Sequence, residues 1–152
     1  MAGLGLGLLS SAAPTTGYAV KSAAVMTNGQ TIFTVTGGPI LIQALASLCV
    51  TANNATASTL QYSVTPAVGT TTAICLASAS LANAAAGASV SMTYVAGAAT
   101  AFYSATGPNV GLSPATLCPA GTITMVIGTG STTGTWQHHL YYWALGDSIT
   151  VS

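Results

Sequence analysis

The chain has 152 residues, enough for one domain with a real core and short for two. Hydrophobic residues make up 51% of it, but charged residues only 1%, Lys21 and Asp147, where ordinary domains carry roughly 25%. This excludes charge-driven nucleic-acid binding, which needs several Lys or Arg against phosphates, and paired-carboxylate chemistry, which needs two acids.

Two other classes fall on the same grounds. No stretch approaches the roughly 20 continuous apolar residues of a membrane-spanning helix. Disordered chains combine low hydrophobicity with high net charge, and this chain has neither. What remains is a folded domain with a neutral surface of Thr, Ser, Asn, Gln, Gly and Ala. Near-zero net charge gives little electrostatic defence against self-association, so permanent assembly is expected. With few titratable groups, stability is expected to depend only weakly on pH.

In chain order, residues 1–24 read MAGLGLGLLSSAAPTTGYAVKSAA. The patch Leu4, Leu6, Leu8 and Leu9 is interrupted by Gly3, Gly5 and Gly7 and has no basic residue before it. A secretory signal has a positive leading region, so the segment reads as an extended arm. The predicted organisation is an arm over 1–28 and one domain over 29–152.

Strands are expected over 30–36 and 40–46, separated by Gly37-Gly38-Pro39. Asn53-Asn54 marks a turn. Leu60, Tyr62 and Val64 then alternate with Gln61, Ser63 and Thr65, the pattern of a half-buried strand. After a turn at 66–69 comes a candidate strand over 71–76. Residues 76–88, LASASLANAAAGA, fit either a short helix by alanine propensity or a loop. Val90, Met92 and Tyr94 share one parity, and further strands are expected over 98–105, 123–127, 134–143 and 148–151. About eight or nine short strands with frequent turns predict an all-β fold, an antiparallel β-sandwich, with the jelly roll as one form of it.

Chemistry-bearing constellations are sparse. Cys49, Cys75 and Cys118 are widely spaced among apolar neighbours and read as buried thiols, with one disulfide and a leftover thiol as the alternative. A serine, His138 or His139, and Asp147 would make a triad on paper, but no G-x-S-x-G elbow accompanies them. Adjacent strand residues point to opposite faces, so His138 and His139 of one chain do not chelate one ion together, and only two subunits at a symmetry axis would allow it; one is expected in the core and one at the surface or an interface. No catalytic residue, metal or cofactor is assigned, and the chain is not expected to be an enzyme.

The aromatic cluster stands apart. Trp136, Leu140 and Tyr142 share one face of the predicted strand 134–143, and Tyr141 and Trp143 the other. A strand apolar on both faces is buried on both, one in the core and one against its own arm or another subunit. Trp136, Tyr141, Tyr142 and Trp143, with Leu4, Leu6, Leu8 and Leu9, form the candidate interface.

Two blocks carry a family resemblance: Ile32-Phe33-Thr34-Val35-Thr36-Gly37-Gly38-Pro39-Ile40-Leu41-Ile42 near the start, and Trp136, Leu140-Tyr141-Tyr142 and Leu145-Gly146-Asp147-Ser148-Ile149-Thr150-Val151 at the end. Between them Val68-Gly69-Thr70 leads to Ile74-Cys75, and Pro119-Ala120-Gly121-Thr122-Ile123 to a short strand. This order resembles small structural proteins of tailed bacteriophages, from the head region beside the major capsid protein. The resemblance implies a capsid decoration (cement) protein on the virion surface, a homotrimer whose partner is the major capsid protein, with termini that reach neighbours. The near-total lack of charge and the glycine-rich start depart from that family. Rival readings are a tail or fibre component, a secreted filament subunit assembling by strand addition, and a carbohydrate-binding module using exposed Trp and Tyr.

Overall fold

Alternating apolar and hydroxyl side chains give each strand one face to bury, and packed antiparallel sheets bury it. A computed structural model describes residues 14–95, 98–104 and 115–152. Its strands are β1 (Thr15–Thr27), β2 (Thr31–Thr36), β3 (Ile40–Cys49), β4 (Leu60–Pro66), β5 (Thr72–Ala73), β6 (Ser89–Val95), β7 (Ala98–Ser104), β8 (Thr116–Cys118), β9 (Gly121–Ile127), β10 (Ser131–Ala144) and β11 (Thr150–Val151). All pairings are antiparallel. The first sheet runs β1-β10-β3-β6-β7, with β8 also on β3; the second runs β11-β2-β9-β4-β5. The protein is an all-β, sandwich-like fold.

The core lies between the sheets. Ile40, Ile42, Leu45, Val90, Met92, Trp136 and Leu140 come from the first sheet, and Phe33, Val35, Leu60, Tyr62, Ile123 and Met125 from the second, all buried. Each such side chain contributes about 1.5–3 kcal/mol by leaving water. Cys49, Cys75 and Cys118 are buried free thiols. Burial pushes each thiol pKa up, Cys118 to about 11, so the thiolate is disfavoured at neutral pH.

Three expectations need correction. The arm assigned to 1–28 contains β1, which pairs with β10 from Thr15↔Ala144 to Thr27↔Ser131, so residues 15–27 belong to the domain. Leu4, Leu6, Leu8 and Leu9 lie outside the described residues. The segment 76–88 is loop, not helix. Its amides are committed elsewhere: Ser78 N–H to Leu60 O, Leu81 N–H to Ser58 O and Asn83 N–H to Asn54 O. The third is β8, a strand that no periodicity announced because it has three residues.

Two glycines are dictated by their surroundings. Gly37 has φ +82°, and a Cβ there would run into the Ser148 carbonyl, so the β2–β3 turn needs glycine. Gly17 leaves room for the Tyr142 ring, which lies across β1 where a side chain would stand.

Asn53 ties the loop 76–88 to β10. Its Oδ1 accepts from Gly134 N–H at 2.8 Å and from Trp136 Nε1–H at 3.4 Å, and its Nδ2 donates to Leu81 O at 3.0 Å. Asn53→Ala strands these buried groups, and urea unfolding is expected to show a loss of roughly 3 kcal/mol. A loss under about 0.5 kcal/mol would mean that the surroundings re-satisfy the freed groups.

Candidate assembly surface

Paired residues of antiparallel strands point to the same face, so the register identifies the outer face of the first sheet. Trp136, His138 and Leu140 of β10 point inward and are buried. Thr135, Gln137, His139, Tyr141 and Trp143 therefore point outward. Pairing with β1 places Val20 beside His139, Tyr18 beside Tyr141 and Thr16 beside Trp143. On the other side Trp143 meets Leu41, and Leu41 meets Leu117 of β8.

The result is a continuous uncharged surface. Tyr18 is 50% exposed, Tyr141 51%, Trp143 41% and Leu117 62%, with Val20 and Leu48 also exposed. Its aromatic centre is ordered by its own contacts. The Tyr18 and Tyr141 ring centroids lie 4.5 Å apart at 31°. Tyr18 Oη lies 2.7 Å from His139 Nδ1, and those rings stack with centroids 6.1 Å apart. These pairs hold three side chains in place before any partner arrives, which lowers the ordering entropy of binding. Single exposed apolar residues are ordinary, whereas contiguous patches mark interaction surfaces.

The predicted interface residues divide. Tyr141 and Trp143 are on the outer face. Trp136 is fully buried and Tyr142 packs part-buried against the core, so both are corrected to core positions. The sequence reading missed Tyr18, Val20, Leu41 and Leu117. Tyr18 and Val20 share one parity in residues 16–20, a short alternation hidden by treating the segment as an arm.

Among the described residues the His, Ser and Asp side chains singled out in the sequence are not brought together. His138 and His139 point to opposite faces. Ser47 Oγ lies 2.6 Å from His138 Nδ1, but in the buried core, and the only carboxylate side chain in the sequence, Asp147, lines a different cavity with Thr15, Thr16, Gly17 and Tyr142. No three His, Cys, Asp or Glu side chains cluster among the described residues. No helix among them is long and apolar enough to cross a membrane. Lys21, the one lysine, sits in β1 just before the register shift between Lys21 and Ala24. A charge and a bulge on an edge strand both discourage further strand pairing there.

No family model, curated protein or solved structure matches the chain.

Core and surface aromatics of β10 should separate cleanly on substitution. Trp136→Ala is expected to lose about 3–5 kcal/mol of stability. Tyr141→Ser and Trp143→Ser should each stay within about 1 kcal/mol of the parent in chemical denaturation. Equal losses at all three would place Tyr141 and Trp143 in the core.

Proposed function

We propose that this protein is a structural virion subunit, a capsid decoration (cement) protein on the outside of a tailed-phage head. In this reading it is a homotrimer whose partner is the major capsid protein. The observation that carries the proposal is the outer face of the first sheet: Tyr18, Tyr141, Trp143, Leu41 and Leu117 in one uncharged surface on a domain with no net charge to keep copies apart. Tyr and Trp are the residues that dominate interface energetics.

Strand order adds support. The pairing β1-β10-β3-β8 in one sheet and β2-β9-β4-β5 in the other is compatible with the jelly-roll form of a sandwich, with β6 and β7 as an insertion between β5 and β8 and β11 as an addition beside β2. That architecture serves viral capsid and lectin domains. The lectin association keeps a second reading, carbohydrate binding, tied to a specific observation: the exposed rings of Tyr18, Tyr141 and Trp143 would stack on sugar faces as well as on protein.

Light scattering after size exclusion and co-sedimentation with undecorated heads test the proposal together. The parent protein should run as a discrete trimer and bind saturably to heads. Trp143→Lys and Tyr141→Lys should fold but lose at least one of these properties, by tenfold or more in affinity, since a lysine in a desolvated interface centre costs well over about 1.4 kcal/mol. A monomer that ignores heads and binds polysaccharide instead would overturn the assembly reading.

A further inference from the structure

The two sheets are joined through the core by a chain of neutral hydrogen bonds. His138 on β10 is 2% exposed, and its Nδ1 lies 2.6 Å from Ser47 Oγ on β3. Ser47 is fully buried, and its Oγ lies 3.0 Å from the hydroxyl of Tyr62 on β4, in the opposite sheet. The Tyr62 hydroxyl donates to Val90 O on β6 at 3.4 Å, returning the chain to the first sheet. One proton arrangement satisfies every member: Nδ1–H to Ser47, Ser47 to Tyr62, and Tyr62 to Val90 O.

We infer that this His138–Ser47–Tyr62 connection is an acid-sensitive latch between the sheets: the folded core holds the imidazole neutral, and acid favours the unfolded chain, whose imidazole is free to take the proton. An imidazolium would hold its charge on a side chain that is 2% exposed and whose Nδ1 is bonded to a neutral hydroxyl. The groups around it from each packed element are Ser47 of β3, Tyr62 of β4 with Cys75 behind it, the Val90 carbonyl of β6 and Lys21 of β1, register partner of His138. None is an anion at neutral pH, because burial pushes the Tyr62 and Cys75 pKa values up, and Lys21 is a cation. The only carboxylate side chain, Asp147, lies beyond Ala144, six residues and about 20 Å along the strand from His138.

Burial first, then His139 and Lys21, pull the His138 pKa from 6.5 down to about 4. Above pH 6.5 the imidazole is neutral in both the folded and unfolded chain. Between about 6.5 and 4 only the unfolded chain takes the proton, so stability falls as pH falls. Below about 4 both states are protonated and the loss levels off. The full shift corresponds to a factor of about 300 in the folding equilibrium. This departs from the weak pH dependence expected from composition, and the two expectations are separated by the measurement below.

The test is urea unfolding of the full chain at pH 7.5, 5.5 and 4.5 for the parent, His138→Gln and His139→Gln. The parent and His139→Gln should lose about 70-fold in folding equilibrium across this range, while His138→Gln, which keeps a hydrogen-bonding group but cannot titrate, should lose far less. Parallel losses in the parent and His138→Gln would overturn the inference. If His138→Gln does not fold, the ring proton resonances of His139→Gln, whose single histidine is His138, decide it. Titration near 4 supports the latch, and titration near 6.5 removes it.

Discussion

The pairing of β10 on both of its edges places everything else. This strand is held by β1 over Thr15 to Thr27 and by β3 over Ile40 to Cys49. Because side chains alternate, holding one strand on two sides sets the facing of three strands at once. Trp136, His138 and Leu140 go inward, and Tyr141 and Trp143 go outward with Tyr18 and Leu41 beside them. The core, the buried hydrogen-bond chain and the exposed aromatic surface are therefore three consequences of one register.

A chain with two charged side chains must satisfy its buried polar groups with neutral partners. Asn53 and the His138–Ser47–Tyr62 chain do this from opposite directions. Asn53 fastens irregular loop to strand, and the second joins sheet to sheet. Such networks stabilise only while every member has its partner, because low dielectric strengthens made bonds and raises the penalty of broken ones. The surface solves the same problem with hydroxyl pairs such as Thr36–Thr150, Thr51–Thr135 and Thr65–Thr71. Neutrality outside favours association, and neutrality inside makes a single proton on His138 matter.

Much of the fold was legible because it is written at short range. The alternation of Leu60, Tyr62 and Val64, and of Ile123, Met125 and Ile127, names strands that are found with those residues buried. The turn at Gly37 is equally local. Residues 76–88 were ambiguous because their alanines favour helix, while the amides that decide the matter find partners on residues 54–60. That competition involves a second segment, and no window on the first can reveal it. The same holds for β1: Thr15–Val20 looks like a tail until β10 is laid against it.

The sequence alone determined that this is a neutral, strand-rich domain with small buried thiols and an aromatic strand near its end, since composition and period-two alternation are properties of neighbouring residues. It also determined that Tyr141 and Trp143 face away from Trp136, because parity along a strand is a local fact. Only the tertiary structure decided which of those two faces is the core, that Tyr18 joins Tyr141 on the outer one, and that Ser47 bridges His138 and Tyr62. Those outcomes depend on strand register between segments up to 129 positions apart, as Thr15 and Ala144 are across one pairing, and register is set by the simultaneous burial of several faces rather than by any one of them.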